Sequence, residues 1–94
     1  MITRSNRDVD AAAEQLTTDA TVTSQIGFIL QGGPANATGL VYVSTNPSMT
    51  AGTADATDGF PLAAGQSEFF PVKKASDLYV FGSAANLTVF FYGL

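Results

Sequence analysis

Asp77-Leu-Tyr-Val-Phe81, Gly82-Ser-Ala-Ala85 and Asn86-Leu-Thr-Val-Phe-Phe-Tyr92 follow one another at the end of the chain, and their reading decides the fold. The two outer pieces are β-branched and aromatic, and the four-residue link suits a β-hairpin. Side chains alternate across a strand, so Leu78 and Val80 oppose Tyr79 and Phe81, while Leu87, Val89 and Phe91 oppose Phe90 and Tyr92. Both faces are therefore apolar. One face fills a core, and the other needs a cover, either a second sheet of the same chain or another subunit. Seven of the ten aromatic residues lie between Phe69 and Tyr92, and each ring left in water forfeits about 2–3 kcal/mol of burial. The reading that follows places Phe69, Phe70, Phe81, Phe90, Phe91 and Tyr92 among core and subunit contacts. The alternative is a sandwich that covers both faces within one chain.

Upstream the same pattern recurs in shorter runs. Val22, Ile26, Phe28 and Leu30 fall on one side at period two, predicting a strand that Gln31-Gly-Gly-Pro-Ala-Asn36 ends. Leu40-Val-Tyr-Val-Ser44 is a second strand, closed by Asn46-Pro47-Ser48 because proline cannot continue a ladder. Gly59-Phe-Pro-Leu-Ala-Ala-Gly65 predicts a turn-rich crossing that drops Phe60 and Leu62 onto the core. Gln66 to Val72 is a further strand, and Pro71 assigns it to a sheet edge. The first twenty residues differ in kind. Six of the twelve charged residues, Arg4, Arg7, Asp8, Asp10, Glu14 and Asp19, crowd into them around Ala11–Ala13. That composition predicts a polar arm over residues 1–20, extended or with a short helix near 9–16, ahead of a single β-domain over 21–94. The expected fold is all-β, a small antiparallel sandwich or barrel of about six strands with that N-terminal arm.

Composition narrows the function. There is no cysteine, histidine or tryptophan, which removes disulfides, thiolate ligands and the commonest catalytic base together. No catalytic, cofactor-binding or metal-ligating residue stands out, and the chain reads as a non-enzyme. Asp55 and Asp58 form the one close acidic pair outside the arm; Asx turns and loop solvation explain it better than calcium or a carboxylate dyad. Four cations against eight acids leave a net charge of −4, unsuited to tracking phosphates, so nucleic acid is not an expected partner. Lys73-Lys74 reads as an edge guard against strand addition. Neither an apolar leader nor a run of roughly 20 apolar residues is present, so no membrane is expected and synthesis is placed in a host cytoplasm. Asn36-Ala-Thr38 and Asn86-Leu-Thr88 match the glycosylation sequon by chance in such a product.

Residues 29–94, through Gly39-Leu-Val-Tyr-Val-Ser44, Asp58-Gly-Phe-Pro-Leu-Ala-Ala-Gly-Gln-Ser67 and Asp77-Leu-Tyr-Val-Phe-Gly-Ser83, resemble the head decoration, or cement, proteins of tailed bacteriophages. Gly-Phe-Pro-Leu-x-x-Gly is the most specific part, and similar patterns occur in phage fibre and tail proteins. The resemblance implies an all-β module bound to the outside of an icosahedral shell, partnered by the major capsid protein and by itself, as a trimer ahead of a dimer. No cofactor is implied. In that frame Arg4, Arg7, Asp8, Asp10 and Glu14 form an arm that grips the shell. A receptor- or glycan-binding module of a fibre, using Tyr42, Asn46 or the 47–58 loop, is the alternative.

Overall fold

The structure, a computed structural model, describes residues 3–53 and 56–94. Eight strands occur among them: β1 (Thr3–Val9), β2 (Glu14–Gln15), β3 (Phe28–Gly32), β4 (Val41–Ser44), β5 (Phe60–Leu62), β6 (Ser67–Phe70), β7 (Tyr79–Gly82) and β8 (Leu87–Gly93). Two single 3-10 turns, Pro34–Asn36 and Ala75–Asp77, are the only helical elements of the described residues. The fold is all-β and antiparallel, as the alternation required.

Pairing follows one rule. The chain doubles back about the loop after β4, so that β4 pairs β5, β3 pairs β6, β2 pairs β7 and β1 pairs β8. This long ribbon then rolls up, adding β8 to β3 and β7 to β4. Two four-stranded sheets result, ordered β1-β8-β3-β6 and β2-β7-β4-β5. Eight antiparallel strands wound in this way form a jelly roll, which leaves sheet edges only at short or charged strands.

The core lies between the sheets. Phe28, Leu30, Leu87, Val89 and Phe91 enter it from one side, and Val41, Val43, Leu62, Val80 and Leu78 from the other. The alternation is clean in β8, where every odd-numbered residue from Leu87 to Gly93 is buried and the intervening ones are half-exposed. Burying a side chain of this size stabilises by about 1.5–3 kcal/mol.

Four expectations are corrected. First, the segment from residue 77 to residue 92 is not a hairpin: β7 and β8 lie in different sheets. The 83–86 link arches between them, held by Ser83 N–H to the Leu40 carbonyl at 2.9 Å and Gly82 N–H to the Asp10 carbonyl at 2.9 Å. Second, the first twenty residues are not an arm. Residues 3–20 hold two strands and no helix, and β1 pairs β8 over its full length, from Thr3 opposite Gly93 to Val9 opposite Leu87. Val9 and Leu16 belong to the core, so no boundary falls at residue 20. Third, Ile26 does not share a face with Phe28. Gly27, at φ +150°, breaks the alternation, and Ile26 is 63% exposed. Fourth, Leu62 is buried as expected but Phe60 is 46% exposed. It meets Phe70 edge-on, with ring centroids 6.3 Å apart, where the sandwich opens between β5 and β6. The edge position read from Pro71 holds: β6 ends one residue before it and is the outermost strand of its sheet.

Candidate functional site: the outward sheet faces

Register determines which side chains share the outside of each sheet. On the β1-β8-β3-β6 sheet, Tyr92 pairs Ile29 and Ile29 pairs Phe69, forming one row, while Phe90, Gln31 and Ser67 form the next. The same rows continue in β1 at the register positions of Arg4, opposite Tyr92, and Asn6, opposite Phe90. Phe69 is 42% exposed, and Ile29, Phe90 and Tyr92 are half-exposed. The Phe69 ring lies over Gly27: a Cβ there would come within 2.5 Å of its Cζ and 2.6 Å of the Phe70 carbonyl, so the site admits only glycine. Ile26, the residue before Gly27, is exposed as well.

The other sheet repeats the theme. Tyr42 pairs Phe81 and Pro61 in one row, and Tyr79 pairs Ser44 and Gln15 in the next. Tyr42, Tyr79 and Phe81 are half-exposed and Pro61 is exposed.

Of the six aromatics assigned to core and subunit contacts, Phe91 alone is buried, at 3% exposure. Phe69, Phe90 and Tyr92 share the outside of one sheet, Phe81 lies on the outside of the other, and Phe70 sits half-exposed at the seam. The sandwich covers one face of each sheet and leaves the aromatic second face outward. At 5030 Å² the exposed surface nevertheless matches the about 5100 Å² expected of a 9.7 kDa monomer. What distinguishes this surface is its chemistry, not its extent.

The charged residues of the first segment are held within the fold by the contacts that follow. Arg4, Arg7 and Asp8 are paired through their backbone within β1, opposite Tyr92, Val89 and Thr88. Asp10 Oδ1 accepts from the Asn86 N–H at 3.1 Å, steadying the inter-sheet arch. Glu14 is half-buried in β2 opposite Val80.

Asp58 anchors the loop that follows β4. Its Oδ1 accepts from the hydroxyls of Thr50 and Thr53, each at 2.6 Å, and its Oδ2 accepts from the Thr53 N–H at 3.1 Å. Thr50 also meets the Thr57 hydroxyl at 2.8 Å. Asp55, the other member of that acidic pair, lies outside the described residues. Among the described residues no three His, Cys, Asp or Glu side chains gather in a way that holds a metal, and no helix is long and apolar enough to cross a membrane. Lys73 and Lys74 are exposed, with their backbone tied to Ser24 and Thr23.

Asn36 is a residue that sequence reasoning missed. Its side chain mimics a strand, donating from Nδ2 to the Thr88 carbonyl at 2.8 Å and accepting the Thr88 N–H on Oδ1 at 2.9 Å. It is the one buried polar residue of the described chain. The sequon at Asn36 thus has a structural use, since its amide completes the ladder beside β8.

Neither a known protein family, nor a curated protein, nor a solved structure matches this chain.

Proposed function

We propose that this chain is a structural virion protein that binds the outer surface of an icosahedral phage capsid as an oligomer and stabilises capsomer junctions. The observation that carries the reading is the outward aromatic surface of both sheets: Phe69, Ile29, Tyr92 and Phe90 on one, Tyr42, Tyr79 and Phe81 on the other. Aromatic residues enriched on a flat surface with few charges are the composition of an interface centre. A two-sided surface of this kind suits a subunit that meets a shell and also its neighbours. Repeated on a shell, modest contacts suffice, because neighbouring subunits raise the effective concentration of the next. The jelly roll is compatible with many functions and adds no more than consistency with a virion role. In this reading Arg4, Arg7 and Asp8 act as a charged, ordered sheet edge instead of a free arm.

The test is the copy number of the chain relative to the major capsid protein in purified particles, measured by quantitative mass spectrometry. A simple ratio to the shell subunit is expected. A few copies per particle would overturn the cement role and place the protein in a fibre or tail.

A further inference from the structure

Asp58-Gly59 is the one Asp-Gly or Asn-Gly step in the sequence. Such steps are chemically weak in water, because a glycine, with no Cβ, leaves its nitrogen unhindered to attack the side-chain carboxyl carbon of the residue before it. The structure gives each residue of the pair a reason to stay. A Cβ on Gly59 would run into Met49 Cε and lie 2.9 Å from the Val43 nitrogen, so this close approach to β4 favours glycine alone. Asp58 supplies the carboxylate that ties the loop, with the Thr50 and Thr53 hydroxyls at 2.6 Å on Oδ1 and the Thr53 N–H at 3.1 Å on Oδ2.

The same contacts restrain the reaction. Ring closure needs the carboxyl carbon to swing onto the Gly59 nitrogen, and that nitrogen to give up its proton. In the closed loop both carboxylate oxygens are engaged, and the Gly59 N–H donates to the Thr50 carbonyl at 3.0 Å. The Thr50 N–H in turn donates to the Thr57 carbonyl at 3.0 Å, so Thr50 clamps the neck of the loop.

We propose that Asp58-Gly59 is a spontaneous modification site, at which aspartate converts to isoaspartate when this clasp opens, and that Thr50 and Thr53 set its rate. The Gly59 nitrogen bonds to the carbon of the Asp58 carboxyl in its acid form. The amide proton and the carboxyl hydroxyl leave as one water, and a cyclic imide remains. Water then adds back to one of the two imide carbonyls. Addition at the side-chain carbonyl restores aspartate. Addition at the former backbone carbonyl breaks that link and leaves the chain running through Cβ and Cγ, with a free α-carboxylate. Nothing is oxidised or reduced, and the mass ends unchanged. The product carries an extra main-chain carbon where Gly59 is wedged against β4, so the neck of the loop does not close again as before. The inference goes beyond the proposed function and holds with or without a shell.

The test holds the full chain for weeks at neutral pH, well below its melting temperature, beside the same chain in denaturant. Fragmentation mass spectrometry that cleaves the extra main-chain bond locates isoaspartate. Isomer is expected at residue 58 of the unfolded chain, with at least about tenfold less in the folded chain, since the rate follows the population of the opened loop. Thr53 is exposed, so Thr53→Val keeps its shape and removes its hydroxyl; the folded reaction should speed up about three- to tenfold with the melting temperature little changed. Thr53→Ser should restore the wild-type rate. Asp58→Glu, one carbon too long for the same ring, should give no isomer at that position. The comparison of folded with unfolded wild type decides the matter even if Thr53→Val unfolds. No isoaspartate at residue 58 of the unfolded chain, equal rates folded and unfolded, or a folded Thr53→Val as slow as wild type would overturn the proposal.

Discussion

At the scale of single residues, the described chain is held by a few polar groups placed where backbone ladders run out. Asn36 is the clearest case, because its two bonds to Thr88 satisfy a strand that has lost its neighbour after Gly32. Asn36→Ala leaves the Thr88 N–H partly buried and unmet, while the Thr88 carbonyl keeps the Gly33 N–H at 2.8 Å, at a cost of about 1–3 kcal/mol. At roughly 4–8 °C per kcal/mol for a domain of this size, calorimetry should show a clear fall in melting temperature. A shift under about 2 °C would mean that water replaces the amide. Gly27→Ala should be as damaging, since a positive φ costs about 1–3 kcal/mol for an ordinary residue and the new methyl meets the Phe70 carbonyl. Asp19 offers a pH test. Its carboxyl, fully exposed, is held below the usual aspartate range by the Thr21 hydroxyl and then by the Thr21 N–H. A depressed folded pKa stabilises the fold above the unfolded value, and that contribution disappears as pH falls through the folded one. An NMR titration should place the Asp19 midpoint below that of the unfolded chain, and Asp19→Asn should remove this part of the acid sensitivity. A midpoint at the unfolded value would show that the Thr21 bonds do not persist in solution.

At the scale of elements, the first twenty residues carry the sharpest contrast between sequence and structure. Removing residues 1–18 from an arm would preserve the oligomer and weaken attachment. Here it takes away β1 and β2, the buried Val9 and Leu16, and the whole outer partner of β8. Losing two buried aliphatic side chains alone costs about 4 kcal/mol or more, comparable with the total stability of a small domain. The truncated chain should lose cooperative unfolding by circular dichroism; a preserved sharp transition would restore the arm. The sequence was legible where apolar alternation is strong: β3, β4, β6, β7 and β8 all overlap the runs marked by Phe, Val and Tyr, although β3 starts only at Phe28 and continues through Gln31 and Gly32, which read as its end. It was not legible at β1, because Thr-Arg-Ser-Asn-Arg-Asp-Val carries a single apolar residue, the buried Val9, and so shows no apolar stripe to mark a strand. Nor was the link from β7 to β8 legible. Gly-Ser-Ala-Ala fits a tight hairpin and an inter-sheet arch equally, and the choice rests on Asp10 and Leu40, distant in sequence. The outward aromatics were visible as a class, since alternation separated Phe90 and Tyr92 from Phe91. Which rows they join depended on strand order, which no single run encodes.

At the scale of the whole molecule, the doubled-back ribbon makes the last strand decisive. β8 lies between β1 and β3, so it closes the first sheet and supplies Leu87, Val89 and Phe91 to the core. It is also the last of the eight described strands in chain order. Until residue 93 is present, β1 has no partner and β3 is paired on one side only, by β6. The closing contacts join β1 to β8, far apart in sequence, and their loop-closure entropy must be met before they contribute. Two consequences follow. The full chain should refold in milliseconds to seconds, the range of sandwiches dominated by distant pairings, and not in microseconds. A chain ending at residue 86 should show no native sheet at all by amide hydrogen exchange, even though seven of the eight strands are present. Phe91→Ala is the graded version, costing about 3–5 kcal/mol by opening a cavity where the two sheets meet. Strong amide protection in β4 and β7 of the shortened chain would show that the β2-β7-β4-β5 sheet stands by itself. That outcome would replace a single cooperative roll by a sheet onto which the other folds.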